Sequence, residues 1–247
     1  MAETSSTSRS AIIIGVGPRD GLGARLGQRF GREGLHVFLS GRTEARVAEV
    51  AAGLREQGHQ ATAVAADATS EAGTIALFDR AEAVAPVDLV IYNAGNNMPG
   101  DFRKMEVDYF ERCWRVACLG GFVAGREAAR RMAPRGRGTV LFTGASASMR
   151  GRPNFAAFAS AKAGLRAVAQ SMAREFGPQG LHVAHVVIDG GIFGEKIRTA
   201  FADRIQSLGE ERFIDLDGIA ETYAALYAQG PRAWSHEVDL RTAAEPF

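Results

Sequence analysis

The chain has 247 residues, 46% of them hydrophobic, which is enough for one sizeable core in a single domain. Its 29 basic and 28 acidic residues leave a formal net charge of +1, so the charge balance gives no reason to expect a nucleic acid or an anionic membrane as partner. No apolar run approaches the roughly 20 residues of a membrane span. We therefore expect a small-molecule partner, with no nucleic acid and no membrane involved.

The start of the chain and the cysteines indicate the compartment. Residues 1–9 are mostly small and polar, which predicts a disordered tail and no signal peptide, followed by one domain over residues 10–247. Cys113 and Cys118 are expected on one helix, five residues apart, which is a poor geometry for a mutual disulfide and suits a reducing cytoplasm. No His and Cys cluster has metal-ligand spacing, so we expect no metal.

The stretch of residues 10–23 is the strongest local signal in the sequence. Ala11–Ile14 is a short apolar run, which predicts a buried parallel strand, and glycines follow at positions 15, 17, 21 and 23 before a helical pattern. Strand, glycine-rich turn and helix is the order in which a dinucleotide pyrophosphate is bound at a helix N-terminus. A tight turn without a ligand fits the same pattern. The residues expected to contact a dinucleotide here are Gly17, Gly21, Leu22 and Gly23.

Strands and helices alternate along the rest of the chain. Further strands are predicted at Leu35–Ser40, Gln60–Ala66, Val87–Tyr92, Thr139–Thr143, His182–Ile188 and Ser235–Leu240. Helical patterns lie between them, and the two longest are Asp108–Met132 and Asn154–Phe176. This alternation predicts an α/β fold: a single-domain, doubly wound parallel sheet of the Rossmann type with helices on both faces.

The end of the second strand indicates which dinucleotide is bound. In a dinucleotide-binding fold this strand end meets the adenine ribose, where an acidic residue would bind the 2′-hydroxyl group. The chain has Arg42 there, and Arg19 lies in the glycine-rich turn. Both guanidinium groups suit a 2′-phosphate, so we expect NADP(H) in preference, with NAD(H) as the second choice. A solvated surface charge at Arg42 is the alternative.

Three motifs occur in a characteristic order: the glycines Gly17-x-x-x-Gly21-x-Gly23, then Asp67 after the third strand, then Asn93-Ala94-Gly95 after the fourth. Together they resemble the short-chain dehydrogenase/reductase family, and the resemblance covers nearly all of residues 10–242. The chain departs from the family pattern at Val16, where a Thr is usual. The resemblance implies an NAD(P)-dependent enzyme with a Rossmann-type fold.

The resemblance also implies roles for the second and third motifs. Asp67 and the backbone of Ala68 would fix the adenine, although the sequence alone fits Asp67 equally as a residue that starts the next helix. Asn93 would brace the central sheet. Ala94 and Gly95 would let the backbone approach the cofactor.

The later part of the chain carries further implications of the resemblance. Gly190 and Ile192, after the sixth strand, would shape the nicotinamide pocket beneath a substrate-covering segment at about residues 190–215. The two long helices would form a subunit interface, which implies a homodimer or a homotetramer. Simple packing of these helices on the sheet is the alternative.

The positions that carry the family's chemistry are altered in this chain. The family exchanges a hydride between a nicotinamide and a hydroxyl or carbonyl carbon, and a Tyr in a Tyr-x-x-x-Lys motif supplies the proton. Here that motif reads Phe158-Ala-Ser-Ala-Lys162, and the family's Ser and Asn positions hold Ala145 and Ala117. The resemblance implies that Lys162 holds the nicotinamide ribose and that Phe158 lines the substrate pocket, although an ordinary core position fits Phe158 as well. The alternative for Lys162 is an ordinary solvent-exposed helix residue.

Nearby polar residues offer two candidates for the missing groups. Ser146 and Ser148 are the hydroxyls closest in sequence to the vacant Ser position, and Ser146 is our candidate for binding the substrate oxygen, although loop hydroxyls that cap the following segment fit as well. Asp189 stands where the family has Pro. It either carries a proton or faces a cationic substrate, or it is a turn residue before Gly190.

Three functions remain open at this stage. The first is an NADP-preferring oxidoreductase with a non-standard site, which transfers a hydride to or from a small organic carbonyl, enone or imine. The second is a cofactor-binding protein without redox turnover, such as a sensor or a partner subunit. The third is a lyase or isomerase without redox chemistry on the same fold, which the glycine-rich turn disfavours.

Overall fold

Seven parallel strands form the central sheet of the computed structural model, which describes residues 9–95 and 97–244. The strands are β1 (Ser10–Ile14), β2 (His36–Gly41), β3 (Ala61–Ala65), β4 (Val87–Tyr92), β5 (Gly138–Thr143), β6 (Leu181–Ile188) and, after the short pair β7 (Gly191–Ile192) and β8 (Phe213–Ile214), β9 (Glu237–Leu240). Their spatial order is β3-β2-β1-β4-β5-β6-β9, and β7 pairs only with β8. The order reverses between β1 and β4, which is where an open α/β sheet leaves a crevice for a ligand.

Helices cover both faces of this sheet. They are α1 (Leu22–Arg32), α2 (Glu44–Glu56), α3 (Glu71–Glu82), α4 (Val107–Trp114), α5 (Gly120–Met132), α6 (Ala156–Phe176), α7 (Glu195–Ala200), α8 (Ala202–Leu208) and α9 (Leu216–Tyr227). One apolar core lies between the sheet and α1, α2 and α9, and a second lies between the sheet and α3, α5 and α6. The prediction of a doubly wound α/β sheet is therefore confirmed.

Strand β1 shows why the sheet is buried on both sides. Ala11 and Ile13 pack into the core with α1, whereas Ile12 and Ile14 pack into the core with α3. Because successive side chains of a strand point to opposite faces, a strand buried on both faces must be apolar throughout. The continuous run Ala11–Ile14 is the sequence signature of this position.

The structure corrects the helix predicted over Asp108–Met132. A π-helical turn, Arg115–Leu119, separates α4 from α5, and the amide of Gly120 bonds to the carbonyl of Arg115 five residues earlier. The hydroxyl of Tyr92, on β4, donates a hydrogen bond to the carbonyl of Val116 inside this turn. A side chain that inserts into the helical ladder in this way is a recognised cause of such a distortion.

The other element boundaries differ from the predictions by a few residues. Helix α6 begins at Ala156, after Asn154 adopts a left-handed backbone conformation with φ 69°, and β9 begins at Glu237. The predicted tail lies outside the described residues apart from Arg9, which forms an ion pair with Asp88 at 3.0 Å. Cys113 and Cys118 lie on one continuous helical segment, and neither forms a disulfide bond.

Two features of the described residues concern membranes and metal ions. No helix in residues 9–95 and 97–244 combines the length and the apolar character that a bilayer crossing demands. The same residues bring together no group of three His, Cys, Asp or Glu side chains suited to holding a metal ion.

Candidate active site

A cavity of about 310 Å³ lies at the carboxyl ends of β1 and β4. Of the residues predicted to bind a cofactor, all except Arg19, Gly190 and Lys162 line it. Those that do are Gly17, Gly21, Leu22, Gly23, Arg42, Asp67, Ala68, Asn93, Ala94, Gly95 and Ile192. The three sequence motifs, which are far apart along the chain, therefore meet at one edge of the sheet.

The glycine-rich turn is shaped to admit a pyrophosphate. A Cβ atom at Gly17 would meet no heavy atom within 4 Å, so the turn opens into the cavity at this residue. At Gly23 a Cβ atom would lie 2.9 Å from the Cα atom of Val16, so only glycine lets α1 start this close to the end of β1. No side chain caps α1 at Gly21. Its first N–H groups and the helix dipole thus provide an anion site of the kind that holds dinucleotide phosphates.

Two arginines border the cavity at the end of β2. Arg42 lines the cavity as predicted, and Arg46, one turn further along in α2, lines it as well. Among the described residues neither guanidinium forms an ion pair or a hydrogen bond with the protein. The structure places Arg19 elsewhere, against α2, where its Nη2 atom is 3.6 Å from the position of a Cβ atom on Gly53. The sequence analysis missed Arg46, although its position four residues after Arg42 on a predicted helix was a usable signal.

Asp67 lines the cavity and does not have the helix-starting role that the sequence left open. Its Oδ1 atom accepts hydrogen bonds from the amide and the hydroxyl of Thr69, both at 2.9 Å, while the residue stays exposed and lines the cavity. The helix-starting role belongs to Ser70, whose hydroxyl accepts from the amide of Gly73 at 3.1 Å. The carboxylate of Asp67 is therefore fixed by a local turn and faces the cavity.

The Asn93-Ala94-Gly95 segment joins the cavity to the predicted reaction centre. The side-chain amide of Asn93 donates to the carbonyl of Gly15 at 3.2 Å, which ties the ends of β4 and β1 together. A Cβ atom at Gly95 would stand 3.3 Å from the Nζ atom of Lys162. Gly95 therefore leaves Lys162 in contact with the backbone that borders the cavity.

Lys162 is a buried cation on α6. The residue is 4% exposed, its Nζ atom donates to the carbonyl of Thr143 at 2.6 Å, and burial lowers its pKa to about 8. The Nζ atom also lies 5.9 Å from the ring centroid of Phe158, one helical turn earlier. The interpretation of Lys162 as a solvent-exposed residue is therefore wrong, and an apolar ring stands beside its ammonium group.

The altered catalytic positions have no hydroxyl or amide to offer. Phe158 is half-buried, Ala145 follows β5, and Ala117 lies within the π-helical turn. The hydroxyl of Ser148 accepts a hydrogen bond from the amide of Ala145 at 3.1 Å, which is a local capping contact. Ser146 hydrogen-bonds to the carboxylate of Asp189. Both serines are thus engaged with the protein.

Asp189 is an ion-paired carboxylate. It is 2% exposed, it accepts two hydrogen bonds from Arg150 at 3.2 and 2.9 Å, and Arg241 lies 3.4 Å away. Burial opposes its ionisation, but the hydrogen bonds from Arg150 and Ser146 and the two arginine charges outweigh burial and lower its pKa. Asp189 is therefore charged near neutral pH and has no proton to give, and the arginines neutralise it.

The covering segment contacts the glycine-rich turn directly. The amide of Glu195 donates to the carbonyl of Asp20 at 2.8 Å, and Arg198 forms an ion pair with the carboxylate of the same Asp20. Gly194, Glu195 and Lys196 consequently line the cavity together with Ile192. Gly190 is exposed and lies outside the lining. No local pattern predicts these contacts, because they join positions about 175 residues apart in the sequence.

The doubly wound sheet, the open glycine-rich turn and the buried lysine define a dinucleotide-binding protein of the Rossmann type. Residues 10–205 match the family model described as short chain dehydrogenase. The chain belongs to the short-chain dehydrogenase/reductase family, and with its relatives it is classed as an NAD(P)-dependent oxidoreductase.

Individual relatives agree with this assignment. A crystal structure of a short-chain dehydrogenase from Rhodopseudomonas palustris is 37% identical, covers 94% of this chain and 98% of that one, and superposes with a TM-score of 0.82. The 3beta-hydroxysteroid dehydrogenase 1 of Eggerthella lenta is 28% identical over 89% of this chain and 86% of its own length. An inactive 2-(S)-hydroxypropyl-CoM dehydrogenase 2 of Xanthobacter autotrophicus is 34% identical over 65% of this chain and 69% of its own length.

Proposed function

We propose that the protein is an NADP(H)-preferring oxidoreductase that acts on a small organic carbonyl, enone or imine without a tyrosine proton donor. The observation that carries the proposal is the buried Lys162 beside the ring of Phe158, next to a cavity that fits a dinucleotide. When bound, the nicotinamide would supply or accept the hydride. The residues of the chain would bind and orient the nicotinamide and the substrate.

Lys162 is suited to hold the nicotinamide ribose. An ammonium group has three donors, and the carbonyl of Thr143 takes one of them. At least one of the others is left for a ligand hydroxyl at the edge of the cavity near Gly95. With a pKa of about 8, the amine changes its charge close to neutral pH, so it can also hold or release a proton.

The apolar ring of Phe158 restricts the substrate class. General acid catalysis is worth about 10²–10⁴ in rate, and a simple carbonyl needs a proton on its oxygen as the hydride arrives. An enone that takes the hydride at its far carbon, or an imine that already carries its proton, depends less on a general acid in the protein. Ser146 does not replace the acid, because its hydroxyl is bonded to the carboxylate of Asp189, and the buried hydroxyl of Ser148 is directed at the backbone amide of Ala145. We therefore propose conjugated carbonyl compounds and protonated imines as substrates in preference to simple ketones.

The preference for NADP(H) rests on Arg42 and Arg46. Both border the cavity at the end of β2, and neither is paired with a carboxylate among the described residues. A 2′-phosphate offers both guanidinium groups a doubly charged acceptor, whereas a 2′-hydroxyl group does not.

Binding of NADPH, NADH, NADP and NAD to the purified protein, measured by fluorescence quenching, tests the proposal first. We expect micromolar binding of NADPH, much weaker binding of NADH, and loss of this difference in Arg42→Ala. Arg19→Ala is the matched control, since Arg19 lies outside the cavity and is expected to leave both affinities unchanged. Absence of binding for all four nucleotides would overturn the proposal and favour a function without redox chemistry.

A second candidate is a cofactor-binding protein without redox turnover. The observation that favours it is the joint presence of Phe158, Ala145 and Ala117 at positions where the family carries reactive groups. Single-turnover mixing of the NADPH complex with a panel of enones, imines and ketones separates the two candidates. Oxidation of NADPH by any enone or imine supports the enzyme, and tight binding without oxidation by any compound supports the second candidate.

The proposal includes a homodimer or homotetramer. Large apolar side chains are partly exposed on the two helices that flank the π-helical turn: Phe110 is 38% exposed, Trp114 39% and Phe122 46%. Such side chains are often covered by a partner surface. Light scattering at micromolar concentration tests this, and a monomer contradicts it. The absence of a disulfide between Cys113 and Cys118 also fits our expectation of a cytoplasmic protein, which cell fractionation checks.

A further inference from the structure

A histidine lies in the interior of the sheet behind Lys162. His185, on β6, is 0% exposed, and it pairs in register with Phe142 of β5, whose side chain belongs to the core with α5 and α6. Its Nδ1 atom lies 3.0 Å from the carboxylate of Glu237 on β9. Glu237 is held in turn by two hydrogen bonds from Arg166 of α6, at 2.6 and 2.8 Å. The dehydrogenase chemistry described above uses none of these residues.

The network determines which ring nitrogen of His185 carries the proton. The hydrogen bonds from Arg166, and to a smaller extent the one from His185, lower the pKa of Glu237, although burial acts in the opposite direction. Glu237 is therefore an ionised carboxylate that only accepts hydrogen bonds. Burial, together with the charges of Lys162 and Arg166, lowers the pKa of His185 to about 4 against the opposing effect of Glu237. His185 is therefore a neutral imidazole near neutral pH, with its proton on Nδ1 and a bare acceptor at Nε2.

The Nε2 atom of His185 is buried and has no hydrogen-bond partner among the residues that the structure describes. It lies against Gly144, where a Cβ atom would overlap the imidazole ring. The amide of Gly144 does not satisfy it, because that amide donates to the carbonyl of Val186 at 2.7 Å. A buried acceptor without a donor is costly. Lys162 offers a donor in this neighbourhood, because its Nζ atom bonds to the carbonyl of Thr143, which precedes Gly144, and its charge acts on His185.

We propose that His185 is a positioning residue for Lys162: its Nε2 atom accepts a hydrogen bond from a buried water molecule, which in turn accepts one from a spare N–H group of the ammonium. This link stabilises the charged form of Lys162 and fixes the direction of the one donor that is left for a ligand. Arg166 and Glu237 set the tautomer that makes this contact possible. The inference goes beyond the proposed function and shares with it only the importance of Lys162.

The lysine content of the chain makes a direct test practical. The sequence has three lysines, Lys104, Lys162 and Lys196, so ¹³C-lysine labelling gives three Cε signals, and a Lys162→Arg variant assigns one of them. In His185→Phe, which keeps a ring of similar shape but removes the acceptor, we expect the pKa of Lys162 to fall by about one pH unit, because hydrogen bonds to charged groups are among the stronger ones. His185→Gln keeps an acceptor near the position of Nε2, so the pKa of Lys162 in this variant should stay close to its value in the unaltered protein.

His182→Phe is the matched control for this titration. His182 lies on the same strand and is also buried, at 3% exposure, but it stacks on Trp234 and bonds to the carbonyl of Ser235 instead. It is expected to leave the pKa of Lys162 unchanged. An unchanged pKa of Lys162 in a folded His185→Phe protein would overturn the proposal, and so would an equal shift in His182→Phe.

A second measurement on the unaltered protein covers the case in which His185→Phe does not fold. In a ¹⁵N-histidine spectrum the proposal requires the Nδ1–H tautomer for His185 throughout the neutral range, with a hydrogen-bonded Nε2. Observation of the Nε2–H tautomer contradicts it. Both experiments use the protein without nucleotide, so a failure to bind NADPH, which would defeat the proposed function, leaves them fully readable.

Discussion

The cofactor cavity and the region around Lys162 share one edge of the sheet but differ in how far their polar groups are paired within the protein. In the cavity the guanidinium groups of Arg42 and Arg46 and the first amides of α1 have no partners among the described residues and border the open space. Towards Lys162 the carboxylates of Asp189 and Glu237 are paired with arginines, whereas the Nε2 atom of His185 lacks a partner among the described residues. Hydrogen-bond donors without protein partners can bind a ligand directly. Side chains that are already paired with one another leave the reactive groups to be supplied by the ligand.

The largest expected effect comes from returning an acid to the second region. Phe158→Tyr places a phenol one helical turn from Lys162, whose charge favours ionisation of the phenol. We expect carbonyl reduction to rise by about 10²–10⁴, the usual value of general acid–base catalysis. Steady-state oxidation of NADPH with a ketone panel measures it. Phe155→Tyr is the control, because Phe155 precedes α6 and lacks the contact with Lys162. No new activity, with NADPH binding intact, means that residue 158 does not face the substrate.

The second prediction tests the openness of the cavity. Gly17→Ala adds a methyl group where the structure has no atom within 4 Å, so the free protein should keep its melting temperature. NADPH binding should weaken roughly 5- to 150-fold, because overpacking a filled site costs about 1–3 kcal/mol. Gly151→Ala, equally unobstructed but outside the cavity, is the control. Equal NADPH affinity in both variants excludes the glycine-rich turn as the pyrophosphate site.

The third prediction separates the arginine that the structure adds from the one that the sequence suggested. Arg46→Ala should weaken NADPH binding about tenfold and leave NADH unchanged, since a hydrogen bond between charged groups contributes about 1.5 kcal/mol or more. Arg19→Ala should change neither affinity. Titration calorimetry with both nucleotides gives the comparison. The opposite ranking of the two variants would mean that Arg19 leaves its position against Gly53 when the nucleotide binds.

The smallest effect concerns the paired carboxylate of Asp189. Its pKa is lower in the folded protein than in the unfolded chain, so its contribution to stability is complete above the unfolded pKa of about 4 and is lost as the pH falls through the folded value. Asp189→Asn should cost about 1–2 kcal/mol near neutral pH, and the cost should shrink in acid. Urea unfolding of both proteins at neutral and acidic pH measures it. A cost that does not depend on pH assigns Asp189 a role other than ion pairing.

The sequence predicted the fold because its signals are local. The apolar run Ala11–Ile14 and the alternation of strands and helices follow from burial and periodicity, and the carboxyl ends of parallel strands necessarily share one edge. The cavity motifs were therefore predictable as a group. The residues around Lys162 were predictable in identity, but their pairing was not.

What the sequence could not show depends on contacts between distant segments. Arg198 meets Asp20, and Arg150 meets Asp189, only because the sheet brings their loops together. The partner of Ser146 is set by the same packing. The orphaned nitrogen of His185 is likewise a property of the folded core, since the residue reads as an ordinary member of an apolar strand.

The π-helical turn at Arg115–Leu119 also changes how the two flanking helices relate to each other. Its wider spacing accommodates one residue more than a regular α-helix of the same rise, and one residue corresponds to about 100° of rotation about the axis. Counted along the sequence, the helical period of α5 is therefore offset by one residue from that of α4. A deletion of one residue within the turn would remove this offset and allow α4 and α5 to join as one regular α-helix.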